Sequence, residues 1–275
     1  MLYDVNKCPY SEKKCEDIGC PCPKYLAYED VKNPEKLKNI LQTEGFNLNL
    51  PGWKLMYQMQ TKFASRFHNL KNITKEDIDT WVDKYLVCID DELREVREWL
   101  SLYGENKSFN QKELQKEAID ILHFVMDTFI CAGATADDIE HAYINRYANE
   151  IHEFDKHHSN NELKQTQDLV KFAYLLQESS INEYLNIYSI DNKDFSILKA
   201  CCKLSDACGL VRQQISWKHW KKPNPKINMD KLQDAFALLF HELINLFILT
   251  MNCDDIQIIY ITKNAENIQR QVYGY

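Results

Sequence analysis

Residues 111–132 read Gln-Lys-Glu-Leu-Gln-Lys-Glu-Ala-Ile-Asp-Ile-Leu-His-Phe-Val-Met-Asp-Thr-Phe-Ile-Cys-Ala. Apolar side chains recur in this stretch at the three- and four-residue spacing of an amphipathic helix. The seven Gly and seven Pro in 275 residues argue against a turn-rich β fold. We therefore predict an all-α fold, a helical bundle. The same spacing predicts further helices over residues 53–69, 75–101, 136–157, 162–179, 193–216, 228–251 and 254–271.

Two pairs of acidic residues lie on these predicted helices. Glu92 and Glu95 form the first pair, and Glu117 and Asp120 form the second. Residues three apart share one face of a helix, so each pair projects from a single face. Four carboxylates that converge from two helices would repel one another unless divalent cations neutralised them. Hard oxygen ligands of this kind suit Mg²⁺ or Mn²⁺, at sites that often also hold the phosphates of a substrate.

The last predicted helix carries a stripe of hydrogen-bond donors. Lys263, Asn267 and Arg270 lie at positions i, i+4 and i+7, on one side of that helix. Charge-assisted contacts from such residues to phosphate are strong. Together with the acid pairs, the stripe indicates a metal-dependent nucleotide hydrolase. The alternative is that both are solvated surfaces, an acidic face with salt bridges to Arg94 and Arg97 and an exposed helix end.

Composition and charge limit the other classes of function. The net charge of −8 disfavours a nucleic-acid binder, because neutralising phosphates needs clustered Lys and Arg. The start of the chain lacks the apolar core of a signal peptide. The most apolar run, Phe236 to Met251, is too short and too polar to span a bilayer. We expect a cytoplasmic protein that acts on a small molecule, without nucleic-acid or membrane partners, and a homodimer is compatible with the sequence.

The chain is predicted to consist of an N-terminal arm and a helical core. Residues 1–50 look irregular, with one short helix between Pro34 and Thr43, and residues 51–275 form the core. Four cysteines cluster in the arm. Their spacing lacks the paired CxxC knuckles of common zinc modules, so free thiols are expected, and a Zn²⁺ site that docks a partner is the alternative. These cysteines are Cys8, Cys15, Cys20 and Cys22.

The core contains an internal repeat. Residues 134–146 and 251–263 share Asp-Asp-Ile, Tyr-Ile and a closing basic residue, 117 positions apart. At that offset the second copy keeps one acid of the second pair and neither acid of the first. We therefore predict two related halves with different roles. Residues 51–157 form a metal-binding half, and residues 162–275 form a degenerate half that supplies cationic and aromatic contacts to the substrate.

These motifs resemble those of the dimeric dUTPase family, within the all-α NTP pyrophosphatase superfamily that also holds MazG proteins. That family carries an ExxE pair, an ExxD pair and a closing KNxxNxxRQxxGY signature, which residues 263–275 match here. Residues 120–124 fit the DIxHF pattern of the family, and residues 217–221 fit its WKxWK element. In the family WKxWK directly follows the ExxE pair, whereas here it comes over a hundred residues later, which leaves the preferred base open.

The resemblance implies Mg²⁺-dependent hydrolysis of a deoxynucleoside triphosphate, above all dUTP, to the monophosphate and pyrophosphate. A carboxylate beside the metal, Glu92 or Glu95, would accept a proton from the attacking water. The alternatives are a pyrophosphatase for another nucleotide, such as dCTP or dATP, and a catalytically spent regulator that binds a nucleotide as a signal. The implied metal ligands are Glu92, Glu95, Glu117 and Asp120, and the implied substrate contacts are Gln60, His123, Lys218, Lys221, Lys263, Asn267 and Arg270.

Overall fold

The described part of the chain is built from α-helices and contains no strand, which confirms the all-α prediction. The computed structural model describes residues 35, 39, 41–42, 45–67, 73, 77–100, 110–157, 166–187, 193–215 and 227–273. The helices within these ranges are α1 (Gly52–Phe67), α2 (Ile78–Glu98), α3 (Gln111–Cys131), α4 (Ala136–Arg146), α5 (Ala148–His157), α6 (Leu169–Ile187), α7 (Lys193–Gln214), α8 (Met229–Thr250) and α9 (Cys253–Tyr273).

The N-terminal arm lies largely outside the described residues. Its four cysteines also lie outside them, so neither the expected free thiols nor the alternative zinc site can be placed. Within the arm, Glu35, Asn39, Leu41 and Gln42 have helical geometry. They fall inside the short helix that the sequence predicts between Pro34 and Thr43. The lysines of the WKxWK element also lie outside the described residues, so Lys218 and Lys221 remain predictions from the sequence.

Two helix boundaries differ from the sequence-based expectation. The helix predicted over residues 136–157 is interrupted at Tyr147, which ends α4 with a non-helical backbone. The helix predicted over residues 162–179 begins instead at Leu169 and runs to Ile187. Tyr147 is buried. Because apolar spacing continues through that break, the pattern of the sequence alone does not reveal it.

The start of α6 is fixed by Asp168, whose carboxylate serves two helices. Its Oδ1 accepts a hydrogen bond from the backbone N of Lys171 at 3.1 Å, and its Oδ2 accepts one from the backbone N of Trp53 at 3.0 Å. A carboxylate at this position satisfies amides that the helix itself leaves unpaired, and it interacts favourably with the helix dipole. A Cβ at Gly52 would clash with Oδ2 of Asp168. Because Gly52 has no side chain, the carboxylate of Asp168 at the start of α6 can reach the first turn of α1.

The core is organised around α8. Helix α2 packs along α3 and α7 packs along α8, while contacts of α3 with α8 and of α2 with α7 join the two pairs. Phe236 and Phe240 of α8 are fully buried, at 4.7 Å from the ring of Phe129 and 5.0 Å from the ring of Trp53. By length and composition α8 could also cross a membrane. Its burial among other helices accounts for the apolar sequence, and α9 packs on α1 and α3 beside it.

His241 of α8 gives the fold a dependence on pH. Its ring stacks on Tyr147 with the centroids 4.2 Å apart. Burial lowers the pKa of His241 to about 4, and the charges of Lys203 and Arg146 act in the same direction. An unfolded histidine has a pKa of about 6.5, so the contribution of neutral His241 to stability is present above about pH 6.5. That contribution is lost as the pH falls from about 6.5 towards 4.

We predict that acidification destabilises the wild-type chain more than the His241→Phe variant. Between about pH 7 and about pH 5, the free energy of unfolding should fall further in the wild type, by on the order of 1 kcal/mol. Urea titrations of both proteins at the two pH values measure the difference. An equal fall in both proteins would show that His241 is not held neutral by the fold.

Candidate metal centre

Three glutamates from two neighbouring helices converge at one place. Glu92 and Glu95 of α2 and Glu117 of α3 each place a carboxylate oxygen within 4.8 Å of the others, and we call these three residues the acid cluster. Helices α2 and α3 pack along each other, and the three-residue spacing in α2 puts both of its glutamates on the face towards α3. All three side chains are half-buried. Three oxygen ligands at this separation fit a hard divalent cation.

Asp120 lies beside the acid cluster and is paired with a lysine. Its Oδ2 is 2.7 Å from Nζ of Lys263 on α9, and the two side chains are only 14% and 8% exposed. The sequence predicted Asp120 as a metal ligand and Lys263 as a phosphate contact, and the structure joins the two to each other. A carboxylate with so little exposure needs a positive partner. Asp120 nevertheless lies close enough to the acid cluster for its charge to help raise the pKa of Glu92.

Electrostatic repulsion characterises the acid cluster. The pKa of Glu92 is raised to about 8, first by burial and then by the charges of Asp120, Glu95 and Glu117. Burial also raises the pKa of Glu117, while the charge of Lys263 opposes the rise. Carboxylates that hold protons so strongly lack enough positive charge nearby. A divalent cation would supply that charge.

The exposed face of α2 carries the kind of salt bridge that the solvated alternative predicts. Arg94 lies 3.3 Å from Glu95 and also pairs with Glu98, and these side chains are 52%, 43% and 43% exposed. Exposed pairs of this kind contribute about 0–1 kcal/mol to stability. A surface pair of Arg94 with Glu95 gives no reason for Glu92 and Glu117 to lie close together. The solvated alternative therefore leaves the convergence of the acid cluster unexplained.

Helix α9 brings its donors towards the acid cluster to different degrees. Burial raises the pKa of Asp120, and the charges of Lys263 and Arg270 both oppose the rise. Arg270 is exposed, yet its charge acts at Asp120. Asn267 is half-buried, one turn after Lys263. The predicted stripe therefore lies on a single helix whose first member contacts the second acid pair.

Gln60 and His123, the predicted base contacts, meet in one buried network. Nε2 of Gln60 donates to Oδ1 of Asp127 at 2.8 Å. Oε1 of Gln60 accepts a hydrogen bond from the hydroxyl of Tyr260 at 3.0 Å and lies 2.8 Å from Nδ1 of His123. Asn264 Nδ2 lies 3.5 Å from the same oxygen. Burial raises the pKa of Asp127 to about 7, and the hydrogen bond from Gln60 opposes the rise.

His123 is held as a neutral imidazole with a defined tautomer. Burial, together with the charge of Lys263, lowers its pKa to about 3. Since Oε1 of Gln60 can only accept, Nδ1 of His123 carries the hydrogen and Nε2 is an acceptor. Nε2 is buried and has no hydrogen-bond partner within the described residues. Tyr260 stacks on the ring with the centroids 4.5 Å apart.

Three members of this network were missed in the sequence. Asp127 follows His123 by one helical turn in an otherwise apolar stretch, which is a signal that could have identified it. Asn264 lies within the closing signature, which by itself indicates no particular contact for it. Tyr260 carried no distinguishing pattern, because an aromatic residue at helical spacing usually belongs to the core.

Comparisons with known proteins add nothing to this geometry. No protein-family model, curated protein or solved structure matches the chain. The resemblance to the dimeric dUTPases therefore rests on the motifs quoted above.

Trp99, which the sequence did not single out, contacts the acid cluster. Its Nε1 donates a long hydrogen bond of 3.4 Å to Oε1 of Glu117. Residues that orient a metal ligand often change metal affinity by about 10–100-fold when mutated. Because this bond is long, we predict that Trp99→Phe weakens Mg²⁺ binding by only about three- to tenfold. Isothermal titration calorimetry measures the affinity, with Trp81→Phe near the start of the same helix as the control. Equal affinities in all three proteins would exclude this role.

Proposed function

We propose that the chain is a metal-dependent nucleotide pyrophosphatase that converts a deoxynucleoside triphosphate, above all dUTP, to the monophosphate and pyrophosphate. The observation that carries the proposal is the convergence of Glu92, Glu95 and Glu117 within 4.8 Å. Beside them lies Lys263, a largely buried cation from the last helix. A negatively charged cluster for the metal next to cations for phosphate is the arrangement that a nucleotide–metal complex requires.

The donor set of the acid cluster fits Mg²⁺, with Mn²⁺ as the close substitute. All of its ligands are carboxylate oxygens from Glu92, Glu95 and Glu117, and hard cations prefer such ligands. Asp120 would complete the set as a fourth carboxylate. When bound, the metal would polarise the phosphate oxygens and offset the charge of the transition state.

The side chains of the protein would supply the remaining chemistry. A carboxylate of the acid cluster would accept the proton of the attacking water, and Glu92 and Glu95 are the candidates. Lys263 and Arg270 would neutralise the phosphates that leave as pyrophosphate, and Asn267 would donate a hydrogen bond from the same helix. The partial burial of the cluster strengthens each of these contacts, because charges interact more strongly where water is excluded.

The buried network supports a base with an imide edge. Nε2 of His123 is an acceptor without a partner in the described ranges. The N3–H of uracil or thymine would satisfy such an acceptor, whereas N3 of cytosine is itself an acceptor. Gln60 and Asn264 place amide groups within the same network. The open acceptor of His123 therefore favours a triphosphate of uracil or thymine over dCTP.

The helix bounds support a duplicated core. A shift of 117 positions places α1 on α6, α2 on α7, α3 on α8 and α4 on α9. The first residue of α1, Gly52, falls on the first residue of α6, Leu169. In the same way the first residue of α4, Ala136, falls on the first residue of α9, Cys253. Four helices in the same order and at the same spacing are expected from an internal repeat.

One hydrogen bond between a helix and a loop recurs at the same offset. The hydroxyl of Tyr57 donates to the carbonyl of Ala134 at 2.7 Å. The hydroxyl of Tyr174 donates to the carbonyl of Met251 at 3.1 Å. Each residue of the second bond lies 117 positions after its counterpart in the first. The two halves therefore share a tertiary contact as well as a sequence pattern.

A second recurring contact crosses between the halves. Gln60 pairs with the hydroxyl of Tyr260 at 3.0 Å, and Gln177 pairs with the hydroxyl of Tyr143 at 3.0 Å. The first bond runs from the first half to the second, and the second bond runs back. Such reciprocal contacts are what two copies related by a two-fold axis would make. In this way α9 of the second half would deliver Lys263 to the acid cluster of the first.

A panel of nucleotides tests the proposed reaction. The full-length chain with Mg²⁺ is given dUTP, dTTP, dCTP, dATP, dGTP and the ribonucleotides, and the initial rate of pyrophosphate release is measured. We expect dUTP to be turned over fastest and dCTP much more slowly. Fast turnover of dCTP or a purine nucleotide would retain the reaction and overturn the base preference. No turnover of any nucleotide would overturn the proposed function.

A further inference from the structure

A pocket of about 420 Å³ lies between α5, α6, α7 and α8. Its volume is within the range of pockets that bind small molecules, about 300–1,000 Å³. No residue of the acid cluster lines it, and neither do Gln60 and His123. This pocket is therefore separate from the candidate metal centre.

Three buried polar atoms in the wall of this pocket have no hydrogen-bond partner in the part of the chain that the structure describes. They are the hydroxyl oxygen of Tyr147, Oε1 of Gln177 and Oγ of Ser196, in residues that are only 7%, 4% and 8% exposed. The amide nitrogen of Gln177 is already engaged with the hydroxyl of Tyr143, which leaves its oxygen as the open atom. Buried polar groups are nearly always paired. An acceptor and two hydroxyls left open in a pocket wall therefore indicate a ligand with a hydrogen-bonding edge.

The rest of the lining indicates a flat aromatic ligand with a negative charge. Tyr147 and His241 both line the pocket and stack on each other, with an angle of 11° between the rings. Leu176 and Leu249 add apolar surface. Lys199 and Lys203, both exposed residues of α7, line the same pocket and outnumber its one acidic residue, Glu150. A heteroaromatic ring would meet the apolar and amide groups, and a phosphate would meet the lysines.

The lining of this pocket contains one carboxylate, Glu150, and so offers no cluster of acidic ligands for a divalent cation. Four positions of the second half lie 117 residues after the predicted metal ligands. Three of them lack a carboxylate, because they hold Gly209, Arg212 and Ala237. Arg212 is engaged with Asp83 and Asp90, each at 3.0 Å. A triphosphate with its cation therefore has no equivalent site here. A monophosphate matches the two lysines without a cation.

We propose that this pocket binds a nucleoside monophosphate in the absence of metal. Oε1 of Gln177 and Oγ of Ser196 contact the edge of the base, and Lys199 and Lys203 contact the phosphate. The choice of a nucleobase rests in part on the proposed function, because Gln177 is the counterpart of Gln60 in the duplicated core. The pocket, its open polar atoms and its lysines do not depend on that function.

The test measures binding of dUMP, dCMP, dAMP and 2′-deoxyuridine to the full-length chain by calorimetry in EDTA. We expect one site per chain for at least one monophosphate, weakened about tenfold or more by Gln177→Met and by Ser196→Ala. Gln58→Met, which changes an exposed glutamine of α1 outside both sites, should leave this affinity unchanged. Circular dichroism establishes that each variant is folded, and the two pocket variants serve as independent tests of the same site.

Two results would overturn the proposal. One is no binding of any monophosphate up to millimolar concentration. The other is binding that Gln60→Met, the matched change in the first half, removes while Gln177→Met and Ser196→Ala leave it intact, because the ligand would then lie in the first half. Binding of 2′-deoxyuridine as tight as that of dUMP would overturn the role of the two lysines. These measurements need no catalysis, so an inactive chain that still binds a monophosphate would separate this proposal from the proposed function.

Discussion

Replacing Glu95 with glutamine is expected to lower the rate of Mg²⁺-dependent pyrophosphate release by about 100- to 1,000-fold, with the chain still folded. Glutamine preserves the volume of the side chain but removes one of the three charges that converge within 4.8 Å. A neutral amide oxygen binds Mg²⁺ more weakly than a carboxylate does. The change also removes repulsion on Glu92, so the metal-free variant should be at least as stable as the wild type.

Glu98→Gln is the matched control for this prediction. Glu98 lies on the same helix, one turn further along, and it shares the Arg94 guanidinium with Glu95. Its side chain is 43% exposed, and it is not part of the acid cluster. Steady-state rates and Mg²⁺ titrations should match the wild type within about twofold. If both variants retained full activity, the carboxylates of α2 would be a solvated face. If both lost activity equally, the loss could not be assigned to the metal ligands.

The second large effect is expected at Lys263. The carboxylate of Asp120 is mostly buried, and Lys263→Met removes the ammonium group that pairs with it at 2.7 Å. Breaking a buried ion pair from one side typically costs about 3–5 kcal/mol. The side chains of Lys263 and Asp120 are still 8% and 14% exposed. We therefore expect the free energy of unfolding to fall by about 3 kcal/mol, the lower end of this range. Urea titration in EDTA measures this fall, and activity should be lost as well.

The chain provides its own comparison for this ion pair. Arg146 lies 117 positions before Lys263 and pairs with Asp234, but these side chains are 30% and 57% exposed. Arg146→Met should therefore cost about 1 kcal/mol or less. The double variant Asp120→Asn/Lys263→Met should recover most of the lost stability without recovering activity. Equal costs for Lys263→Met and Arg146→Met would contradict the role assigned to burial.

The helices and the convergence of the acid cluster are the parts that the sequence predicts well. Both follow from local spacing, because positions three apart in α2 determine which side chains face α3. Helix starts were less predictable. The start of α6 depends on Asp168, whose carboxylate also binds the amide of Trp53 over a hundred residues away. Local spacing carries no information about such a distant partner.

The sequence did not predict which side chains of the site pair with each other. Asp120 and Lys263 were assigned to a metal and to a phosphate, yet they form a pair with each other. Which residue neutralises a buried acid depends on how α9 packs against α3, and this is a tertiary contact. The same is true of Asp127, which meets Gln60 only after α1 has packed on α3. The pocket between α5, α6, α7 and α8 has no sequence pattern of its own.

The most direct test of the central claim is the identity of the products formed from dUTP by the full-length chain. Chromatography of the reaction with Mg²⁺ should show dUMP and pyrophosphate in a one-to-one ratio. Neither product should form in EDTA or with the Glu95→Gln variant. Release of inorganic phosphate with dUDP, or product formation that persists in EDTA and in the variant, would contradict a pyrophosphatase that works through the acid cluster.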